Sequence, residues 1–453
     1  MDQNSQQKSL HIGLVGAGIG GLAAAIAIRL AGAEVTVLEA ASELGEIGAG
    51  IQMTPNVSRL LIKWGIADII GDNLVEVEEF NLRQQDGTKV GYTKMVPDMK
   101  KDLGHPYGTT LLSLNLQLMR DRWWVVHRAH LHSGLVEVAQ SLGVKLLINS
   151  RVNSLDYSRK GPVTVTTEAR NRHVFDLLIG SDGVNSVVRR TLFPDVRPTP
   201  PSTNSAYRAI VPYSRILKDP IAKTLIEKPT MEVWLSEKAY IITYPISGCK
   251  DLNLVLSHHT DNLVYNVEDV AVEDLRKQFE GYDLKIKRVI DMIPETQRWP
   301  LLVTALESWS SPEKNVVLMG DAAHSMVNHM AQGAATAMED GAFIGRCIAE
   351  VVQNRLTLTQ AVEIYEKERM PKARAKQHIS FLNGAIWHLP AGPKQEARDG
   401  AMKEEMSGKK LSRSPNLYSD PRMLEQVYGY DAEQHADEAV RTFLQRREGV
   451  IDT

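Results

Sequence analysis

The residues best placed to do chemistry are three glycines and one acidic residue near the start of the chain. Gly16, Gly18 and Gly21 follow an apolar run, an alanine-rich segment comes next, and Glu39 ends a second apolar run. This order predicts strand, tight turn, helix and strand within the ~30 residues of a βαβ unit. The glycines permit the turn, the approach of a pyrophosphate and close helix packing, and Glu39 offers a carboxylate to a ribose. The pattern indicates a dinucleotide site; the alternative is a glycine-rich turn inside an ordinary buried helix pair.

Two further strand-to-turn signals have the same form. One apolar run ends at Gly180 and is followed by Asp182, and another ends at Gly320 and is followed by Asp321. Three such strands predict a parallel sheet that binds its ligand at the carboxyl ends of the strands. The helix that follows the first turn would add unpaired N–H groups and a positive dipole end, which suit phosphate groups.

The composition excludes several classes of protein. A chain of 453 residues is long enough for two or three domains. The net charge of −3 and the scattered basic residues give no electrostatic footprint for nucleic acid. The only two cysteines, Cys249 and Cys347, form no disulfide framework and no metal cluster, and they suit a reducing compartment. The polar segment 1–8 lacks the charged start of a signal peptide, so a cytoplasmic protein without a membrane span is expected.

The middle and the end of the chain differ from its start in their pattern of apolar and polar residues. Strand-like runs occur at 232–235, 239–244 and 252–256. They predict a mainly antiparallel sheet with helices on one side, which part of 74–115 is expected to join. After Leu356 the pattern is helical, and Pro371 is expected to bend or restart the helix. The polar segment 391–420 is expected to loop over the surface.

The three turns together resemble those of the FAD-dependent aromatic monooxygenases, the single-component flavoprotein hydroxylases. Within that family the sequence looks most like the salicylate hydroxylase-like branch, which includes many fungal enzymes of secondary metabolism. The matching stretches are 16–21, 46–52, 126–129, 180–189, 320–324, 331–335, 339–340 and 428–431. This set is specific for the family and is poor at naming a substrate.

The resemblance implies an α/β fold. It consists of a Rossmann-like FAD-binding domain with a parallel sheet, an inserted and mainly antiparallel substrate domain with helices, and a C-terminal helical segment. The expected boundaries are 9–75, 116–190 and 309–356 for the FAD-binding domain, 76–115 and 191–308 for the substrate domain, and 357–453 for the helical segment.

The resemblance also implies which residues bind FAD. Gly16, Gly18 and Gly21 would hold the pyrophosphate, and Glu39 would bind the adenosine ribose. Arg128 matches the arginine that reaches the flavin, a role that suits a guanidinium because it donates several hydrogen bonds in a fixed fork. The alternative for Arg128 is a surface arginine at the start of a helix.

The second and third turns supply further cofactor positions by the same resemblance. Asp182 matches an acidic residue linked to the pyrophosphate region and to the use of reduced nicotinamide; it could equally cap the following helix, and both could hold. Asp321 matches the residue that binds the ribityl chain and the phosphate side of FAD. The other matching cofactor positions are Ala49, Gly333 and Ala334.

In this family the reaction belongs to the flavin. The resemblance implies that flavin reduced by NADH or NADPH forms a C4a-hydroperoxide with O2 and delivers a hydroxyl to an electron-rich ring. The protein must keep water out, hold the ring close and favour the phenolate form of the substrate. The expected function is hydroxylation of a phenolic or related aromatic small molecule. A monomer or homodimer without a nucleic-acid partner is expected.

Three residues are candidates for the substrate side. Arg208 and Tyr244 match pocket positions on the substrate-domain sheet, and together they would clamp a phenolate or carboxylate through charge-assisted hydrogen bonds. His329 lies in the loop that passes the flavin, and an imidazole titrates near neutral pH, so it would accept the phenolic proton. The alternatives are core packing for Tyr244 and a structural role for His329.

Two departures from the family pattern and three other functions remain open. Asn328 stands where proline is usual, which puts the rigidity of the flavin loop in doubt, and His130 stands where aspartate is frequent, which puts local helix capping in doubt. The first alternative is a flavin-dependent epoxidase or dearomatising hydroxylase of an indole or polyketide. The second is a flavin or nicotinamide oxidoreductase that inserts no oxygen, and the third is a non-catalytic redox sensor.

Overall fold

The computed structural model describes residues 9–45, 49–95, 122–157, 161–407, 409 and 411–449. Within these residues the strands are β1 (His11–Val15), β2 (Glu34–Leu38), β3 (Gly50–Met53), β4 (Val75–Glu76), β5 (Glu79–Gln84), β6 (Lys89–Lys94), β7 (Trp124–His127), β8 (Lys145–Leu147), β9 (Val152–Asp156), β10 (Val163–Thr167), β11 (Arg172–Phe175), β12 (Leu177–Gly180), β13 (Asn204–Pro212), β14 (Thr230–Leu235), β15 (Ala239–Ile246), β16 (Asp251–His259), β17 (Glu268–Val270), β18 (Thr296–Pro300) and β19 (Val316–Leu318).

The α-helices of the described residues are α1 (Ile19–Leu30), α2 (Pro55–Lys63), α3 (Ile66–Ile70), α4 (Arg128–Ser141), α5 (Val187–Leu192), α6 (Tyr213–Ile216), α7 (Val272–Gln278), α8 (Leu284–Ile290), α9 (Asp321–His324), α10 (Gly333–Val352), α11 (Leu358–Trp387), α12 (Pro393–Met406), α13 (Pro421–Met423) and α14 (Ala432–Arg447). Short 3-10 turns lie at Gly71–Asn73 and Ala222–Leu225, and a π turn lies at Leu424–Tyr428.

The first sheet is parallel and has the order β19-β12-β1-β2-β8. The chain builds outward from β1 through β2 to β8, then returns to the other side of β1 with β12 and β19. The strand order therefore reverses between β1 and β12, which is where open α/β sheets bind their ligands. The Ala-rich helix α1 packs against α10 over this sheet. The predicted Rossmann-like parallel sheet is confirmed.

The second large sheet has eight strands in the order β17-β18-β13-β16-β15-β14-β5-β6. Neighbouring strands within this sheet run antiparallel, except the pair formed by β14 and β5, which is parallel. The strands predicted at 232–235, 239–244 and 252–256 are β14, β15 and β16, and part of 74–115 joins the sheet as β5 and β6. Smaller antiparallel sheets have the orders β11-β10-β9 and β3-β7-β4.

The two faces of the eight-stranded sheet bury different residues because side chains alternate along a strand. Leu252, Leu254 and Leu256 of β16 pack on one face in the core that includes α7 and α8. Tyr240 and Tyr244 of the neighbouring strand β15 belong to the core on the opposite face. That second face meets the parallel sheet and the end of the chain.

The end of the chain differs from the prediction at two places. Helix α11 continues through Pro371 and does not restart there, and Arg369 and Lys376 on either side of the proline form buried ion pairs. The segment 391–420 is not a surface loop: Pro393 begins helix α12, and Tyr418 is fully buried. Proline is favoured in the first turn of a helix, and this signal outweighed the polar composition.

Parts of two predictions lie outside the described residues. These are motif residues 46–48 and the stretch 96–121, which contains the predicted boundary between 76–115 and 116–190. The domain boundaries therefore stay a prediction. No helix of the described residues combines the length and the apolar content that a membrane crossing needs.

Candidate active site

A cavity of about 600 Å³ lies between the carboxyl ends of the parallel strands and one face of the eight-stranded sheet. Ten of the thirteen site residues predicted from the sequence line it, namely Gly16, Gly18, Glu39, Arg128, Asp182, Arg208, Tyr244, Asp321, Gly333 and Ala334. The other three, Gly21, Ala49 and His329, do not form its wall. Segments more than 300 residues apart in the sequence thus meet at one site.

The turn after β1 is built by close backbone contacts. Gly16 has a φ of +99°, and a Cβ there would lie 2.7 Å from the carbonyl oxygen of Ser181. A Cβ at Gly21 would collide with the carbonyl oxygen of Gly16. Gly21 therefore does not line the cavity. The absence of a side chain at this position lets α1 begin in direct contact with the turn. At Gly18 a Cβ would have no protein atom within 4 Å, so this position opens into the cavity.

Glu39 ties the end of β2 to that turn. One of its carboxylate oxygens accepts a hydrogen bond from the Ala17 N–H at 2.7 Å, and the other accepts one from the Ala41 N–H at 2.8 Å. A carboxylate has about four acceptor positions, so these two bonds leave capacity for a ligand hydroxyl. Glu39 is held in place by the turn that it faces.

Asp182 caps a helix and also lines the cavity. Its carboxylate accepts hydrogen bonds from the N–H groups of Val187 and Val188, at 2.7 and 3.2 Å, at the start of α5. Burial raises the pKa of Asp182, and the hydrogen bonds from Ser186 and from these N–H groups act in the opposite direction. The structure is thus compatible with both roles predicted for Asp182, the cap of the following helix and a contact to the cofactor.

A buried ionic network supports the third turn from below. Asp340 accepts hydrogen bonds from the Gly320 N–H at 3.1 Å, from His324 Nε2 at 2.6 Å and from Arg369 Nε at 2.9 Å. Burial by itself would raise the pKa of Asp340, but His324 and Arg369 lower it below its usual value. The Asp340 carboxylate is therefore ionised, and it fixes the turn in front of Asp321.

The same network reaches the loop before α10. Glu339 accepts a hydrogen bond from Arg369 Nη2 at 2.9 Å and another from Asn56 Nδ2 at 2.6 Å, and it pairs with Lys376. Gln332 is the residue before α10, and its side chain accepts a hydrogen bond from Lys376 Nζ at 3.0 Å. The end of the flavin loop is thereby anchored to both α2 and α11.

Arg128 stands where β7 ends and α4 begins. Its N–H donates to the carbonyl oxygen of Ala49 at 3.1 Å, so Ala49 contacts Arg128 although it does not line the cavity. The His127 Nδ1 accepts from the Ala129 N–H at 3.1 Å and so caps α4. The capping that the unusual His130 puts in doubt is thus supplied three residues earlier.

The substrate-side candidates share one face of the eight-stranded sheet. Arg208 pairs in register with Val255, which pairs in turn with Ile242, and all three line the cavity. Tyr244 lies two residues beyond Ile242 and therefore points to the same side. The Arg208 Cζ lies 5.3 Å from the centre of the Trp299 ring. Burial raises the pKa of Tyr244, which keeps its hydroxyl protonated although Arg208 and Arg128 act against this shift.

His329 lies one layer behind the wall, and Tyr240 stands between it and the cavity. The His329 Nδ1 is 3.2 Å from Tyr240 Oη, and Tyr240 also donates a hydrogen bond to Asn328 Oδ1 at 3.0 Å. Burial, followed by the influence of His388 and His259, lowers the pKa of His329 to about 3. Its imidazole is therefore neutral near neutral pH.

Three aromatic wall residues are absent from the sequence-based candidates. Tyr240 could have been found from Tyr244, because residues four apart on a strand share a face. Trp387 ends α11, and Tyr418 belongs to the segment expected at the surface; their rings are nearly parallel, at an interplanar angle of 14°. No local pattern marks these two, because their placement depends on how the chain end folds back over the sheet.

The residues present fit a dinucleotide cofactor. The N-termini of α1 and α10 both line the cavity, and neither has a side-chain cap, so their N–H groups are available to anionic oxygens. Gly18 leaves open space beside one of them, and the Glu39 carboxylate stands at the end of the adjacent strand. Phosphate oxygens at the helix ends and a ribose at the carboxylate match this set of donors and acceptors.

Comparison with known proteins decides the family. A family model described as an FAD binding domain matches residues 9–380. The chain belongs to this FAD-binding family. The FAD-dependent monooxygenase OpS4 of Beauveria bassiana (strain ARSEF 2860) is 32% identical over 449 residues, which cover 96% of this chain and 98% of OpS4.

Two further relatives agree with this membership. The 3-hydroxybenzoate 6-hydroxylase of Polaromonas naphthalenivorans (strain CJ2) is 30% identical over 426 residues, covering 93% of this chain and 96% of that enzyme. A salicylate hydroxylase solved as a substrate complex shares the fold with a TM-score of 0.72 at 18% identity, covering 95% of this chain and 98% of the other. The expectation of an FAD-dependent monooxygenase, similar to the salicylate hydroxylases, is confirmed.

Proposed function

We propose that this FAD-dependent monooxygenase hydroxylates a phenolic or related aromatic small molecule, with NADH or NADPH as the reductant and O2 as the oxidant. The observation that carries the proposal is the single cavity in which the dinucleotide cradle meets a wall formed by Arg208, Tyr240, Tyr244, Trp387 and Tyr418. A planar ring suits such aromatic walls, and an acidic substituent suits the guanidinium.

The chain would hold FAD with its backbone and a few carboxylates. Gly16 and Gly18 with the start of α1 would bind the pyrophosphate, and Glu39 would bind the adenosine ribose. Asp321 and the N-terminus of α10, at Gly333 and Ala334, would face the ribityl chain and the isoalloxazine. When bound, the flavin supplies the oxygen chemistry, since it takes electrons from the nicotinamide and passes one atom of O2 to the ring.

The substrate side has two tasks in this proposal. Arg208 and Tyr244 orient the ring and stabilise negative charge on its oxygen. The apolar wall residues Ile242, Val255 and Trp387 exclude water from the reacting atoms. His329 would act on the substrate proton through Tyr240 rather than by direct contact, since Tyr240 stands between it and the cavity.

A screen of phenols and indoles tests the proposal. The purified, yellow protein is mixed with NADH or NADPH and each compound, and nicotinamide oxidation, O2 uptake and product mass with labelled dioxygen are followed. We expect a phenol to stimulate nicotinamide oxidation and to gain one labelled oxygen atom on its ring. Stimulated oxidation without labelled product would favour a non-oxygenating oxidoreductase, and a labelled epoxide or dienone would favour the alternative oxygenations. Bound FAD with no stimulation by any compound would contradict an oxygenase of phenols or indoles.

A further inference from the structure

Two side-chain amides line the cavity, and the proposed function uses neither of them. Gln52 lies on β3, and Asn328 lies in the flavin loop. A primary amide has one oxygen that accepts hydrogen bonds and one nitrogen that donates two. The orientation of each amide therefore decides whether it presents an acceptor or a donor to a ligand in the cavity.

The oxygen of each amide is held by an aromatic side chain. Trp123 Nε1 lies 3.3 Å from Gln52 Oε1, and because an indole N–H can only donate, the Gln52 oxygen is the atom that faces Trp123. Tyr240 Oη donates a hydrogen bond to Asn328 Oδ1 at 3.0 Å. Both amide oxygens are thus occupied by the protein, and the amide nitrogens are turned away from these two partners.

The two amide nitrogens are left for a ligand. No described residue accepts a hydrogen bond from Gln52 Nε2 or Asn328 Nδ2, and neither atom is among the fully buried polar atoms that lack a partner. Since both residues line the cavity, their N–H groups reach open space there. A ligand that displaces water from these donors binds well only if it supplies an acceptor for them.

An aromatic wall lies between the two amides. Ring contacts lead from Trp123 to Tyr418, from Tyr418 to Trp387 and from Trp387 to Tyr240, with ring centres 5.6, 6.2 and 4.9 Å apart. The first ring of this row holds one amide oxygen and the last ring holds the other, whereas the two middle rings line the cavity. A planar ring that stacks on the two middle rings therefore has an amide donor toward each of two sides.

The charges of the cavity wall favour a ligand with acceptors on the substrate side. The carboxylates among the described wall residues are Glu39, Asp182 and Asp321, which follow β2, β12 and β19 on the cofactor side. In this part of the chain, the substrate side has no carboxylate to accept from a ligand, and it presents the Arg208 guanidinium in addition to the two amides. Oxygen acceptors on the substrate match this set of donors.

We propose that Gln52 and Asn328 are specificity-determining residues that donate hydrogen bonds to two neutral carbonyl oxygens on two sides of the phenolic ring. A neutral carbonyl suits these uncharged donors, since a carboxylate would lose its hydration there without a counter-charge. The preferred substrate is then a phenol that carries carbonyl groups. A site that forms hydrogen bonds with such groups rejects an analogue that lacks them, because its donors are left unpaired. This inference rests on the proposed function, because it requires a phenolic substrate.

The test compares two phenols of the same shape on the FAD-loaded enzyme without reductant. 3,5-Diacetylphenol carries a carbonyl group on each side of the ring, and 3,5-diisopropenylphenol carries a CH2 group in place of each carbonyl oxygen. The dissociation constant of each phenol is measured through the change in the flavin spectrum. The variants are Gln52→Met and Asn328→Leu, which keep similar side-chain size without a donor. Met326→Leu is the control, since Met326 lines the cavity in the same loop and has no N–H group in its side chain.

We expect the wild type and the control to prefer the diacetyl compound, and each amide variant to reduce this preference about fivefold. The preference is a ratio within one protein, so a general loss of affinity cancels. FAD affinity and the flavin spectrum without phenol should stay unchanged. If Gln52→Met does not fold, Asn328→Leu decides by the same comparison.

Three other outcomes count against the inference. An equal preference in all four proteins would overturn it and leave the proposed function intact, as would binding of unsubstituted phenol but of neither probe. Loss of FAD affinity in the variants with an unchanged preference would assign the amides to the cofactor and overturn the inference as well. Failure of the wild type to bind any of the three phenols would count against the proposed function and the inference together.

Discussion

The cofactor side and the substrate side of the cavity differ in whether backbone atoms or side chains line them. On the cofactor side, the lining comes mainly from the backbone of the glycine turn after β1 and of the N-terminus of α10, with the carboxylates of Glu39 and Asp321 beside them. On the substrate side, the contacts come from side chains, with Arg208 from β13, Tyr240 and Tyr244 from β15, and two aromatic rings from the chain end.

This difference indicates how each side of the cavity should respond to substitution. A backbone cradle tolerates few residue types, since any side chain at Gly21 would collide with the turn. A wall of side chains on regular strands can change one residue at a time without altering the sheet. FAD recognition should therefore be sensitive to small substitutions, whereas substitutions at the substrate wall should alter substrate preference and leave FAD bound.

The largest effect is expected from Asp340→Asn. The substitution removes the charge that pairs with Arg369 and turns an amide toward groups that are themselves donors. Breaking a fully buried pair costs about 3 kcal/mol of stability or more. We expect urea unfolding of the apoprotein to show this loss, together with weaker FAD binding. The control is Asp437→Asn, whose partner Arg346 is 41% exposed, and it should cost under about 1 kcal/mol. Equal losses in both variants would contradict the supporting role of the buried network.

Gly18→Ala tests the cradle alone. The added methyl group meets no protein atom within 4 Å, so the apoprotein should keep its melting temperature, whereas the group occupies the space expected for the pyrophosphate. We expect FAD affinity to fall about 100-fold, or about 2.7 kcal/mol, by fluorescence titration. Gly400→Ala is the matched control, because its methyl group also has open space but lies far along the chain on α12. Unchanged FAD affinity in Gly18→Ala would place the pyrophosphate elsewhere.

The sequence predicted the cofactor side more completely for the same physical reason. A turn such as 16–21 acts locally, so residue type and spacing within it already define its shape. The substrate wall depends on contacts between distant segments: Tyr240 follows from Tyr244 by strand alternation, but Trp387 and Tyr418 have no such local signal. His329 shows a further limit of what the sequence predicts about the site. The sequence places this residue in the flavin loop, but its burial behind Tyr240 depends on the packing of α11.

The third prediction concerns pH and the substrate side. The folded protein holds the pKa of His329 at about 3, below the ~6.5 of an unfolded histidine. The unfolded chain therefore binds more protons, so this stabilising contribution is complete above pH 6.5 and is lost as the pH falls toward 3. At pH 5 the loss is about 2 kcal/mol. In His329→Gln the apoprotein should lose less stability between pH 7 and pH 5 than the wild type, measured by urea unfolding. His378→Gln should keep the wild-type slope, and an identical slope in His329→Gln would indicate that His329 titrates normally.

Arg208→Ala should have the smallest free-energy effect, and it separates the two sides of the cavity most directly. Loss of a charge-assisted hydrogen bond to a substrate oxygen should raise KM at least tenfold, or about 1.4 kcal/mol, while FAD affinity is unchanged. Arg298→Ala is a suitable control, because Arg298 lies on the adjacent strand β18, pairs with Glu268 and does not line the cavity. Steady-state kinetics on a substrate from the phenol screen give KM, and flavin fluorescence gives FAD affinity. If Arg208→Ala keeps its KM, the guanidinium has no role in substrate binding; if it loses FAD instead, the two sides are not independent, because a side chain of the substrate sheet then belongs to the cofactor cradle.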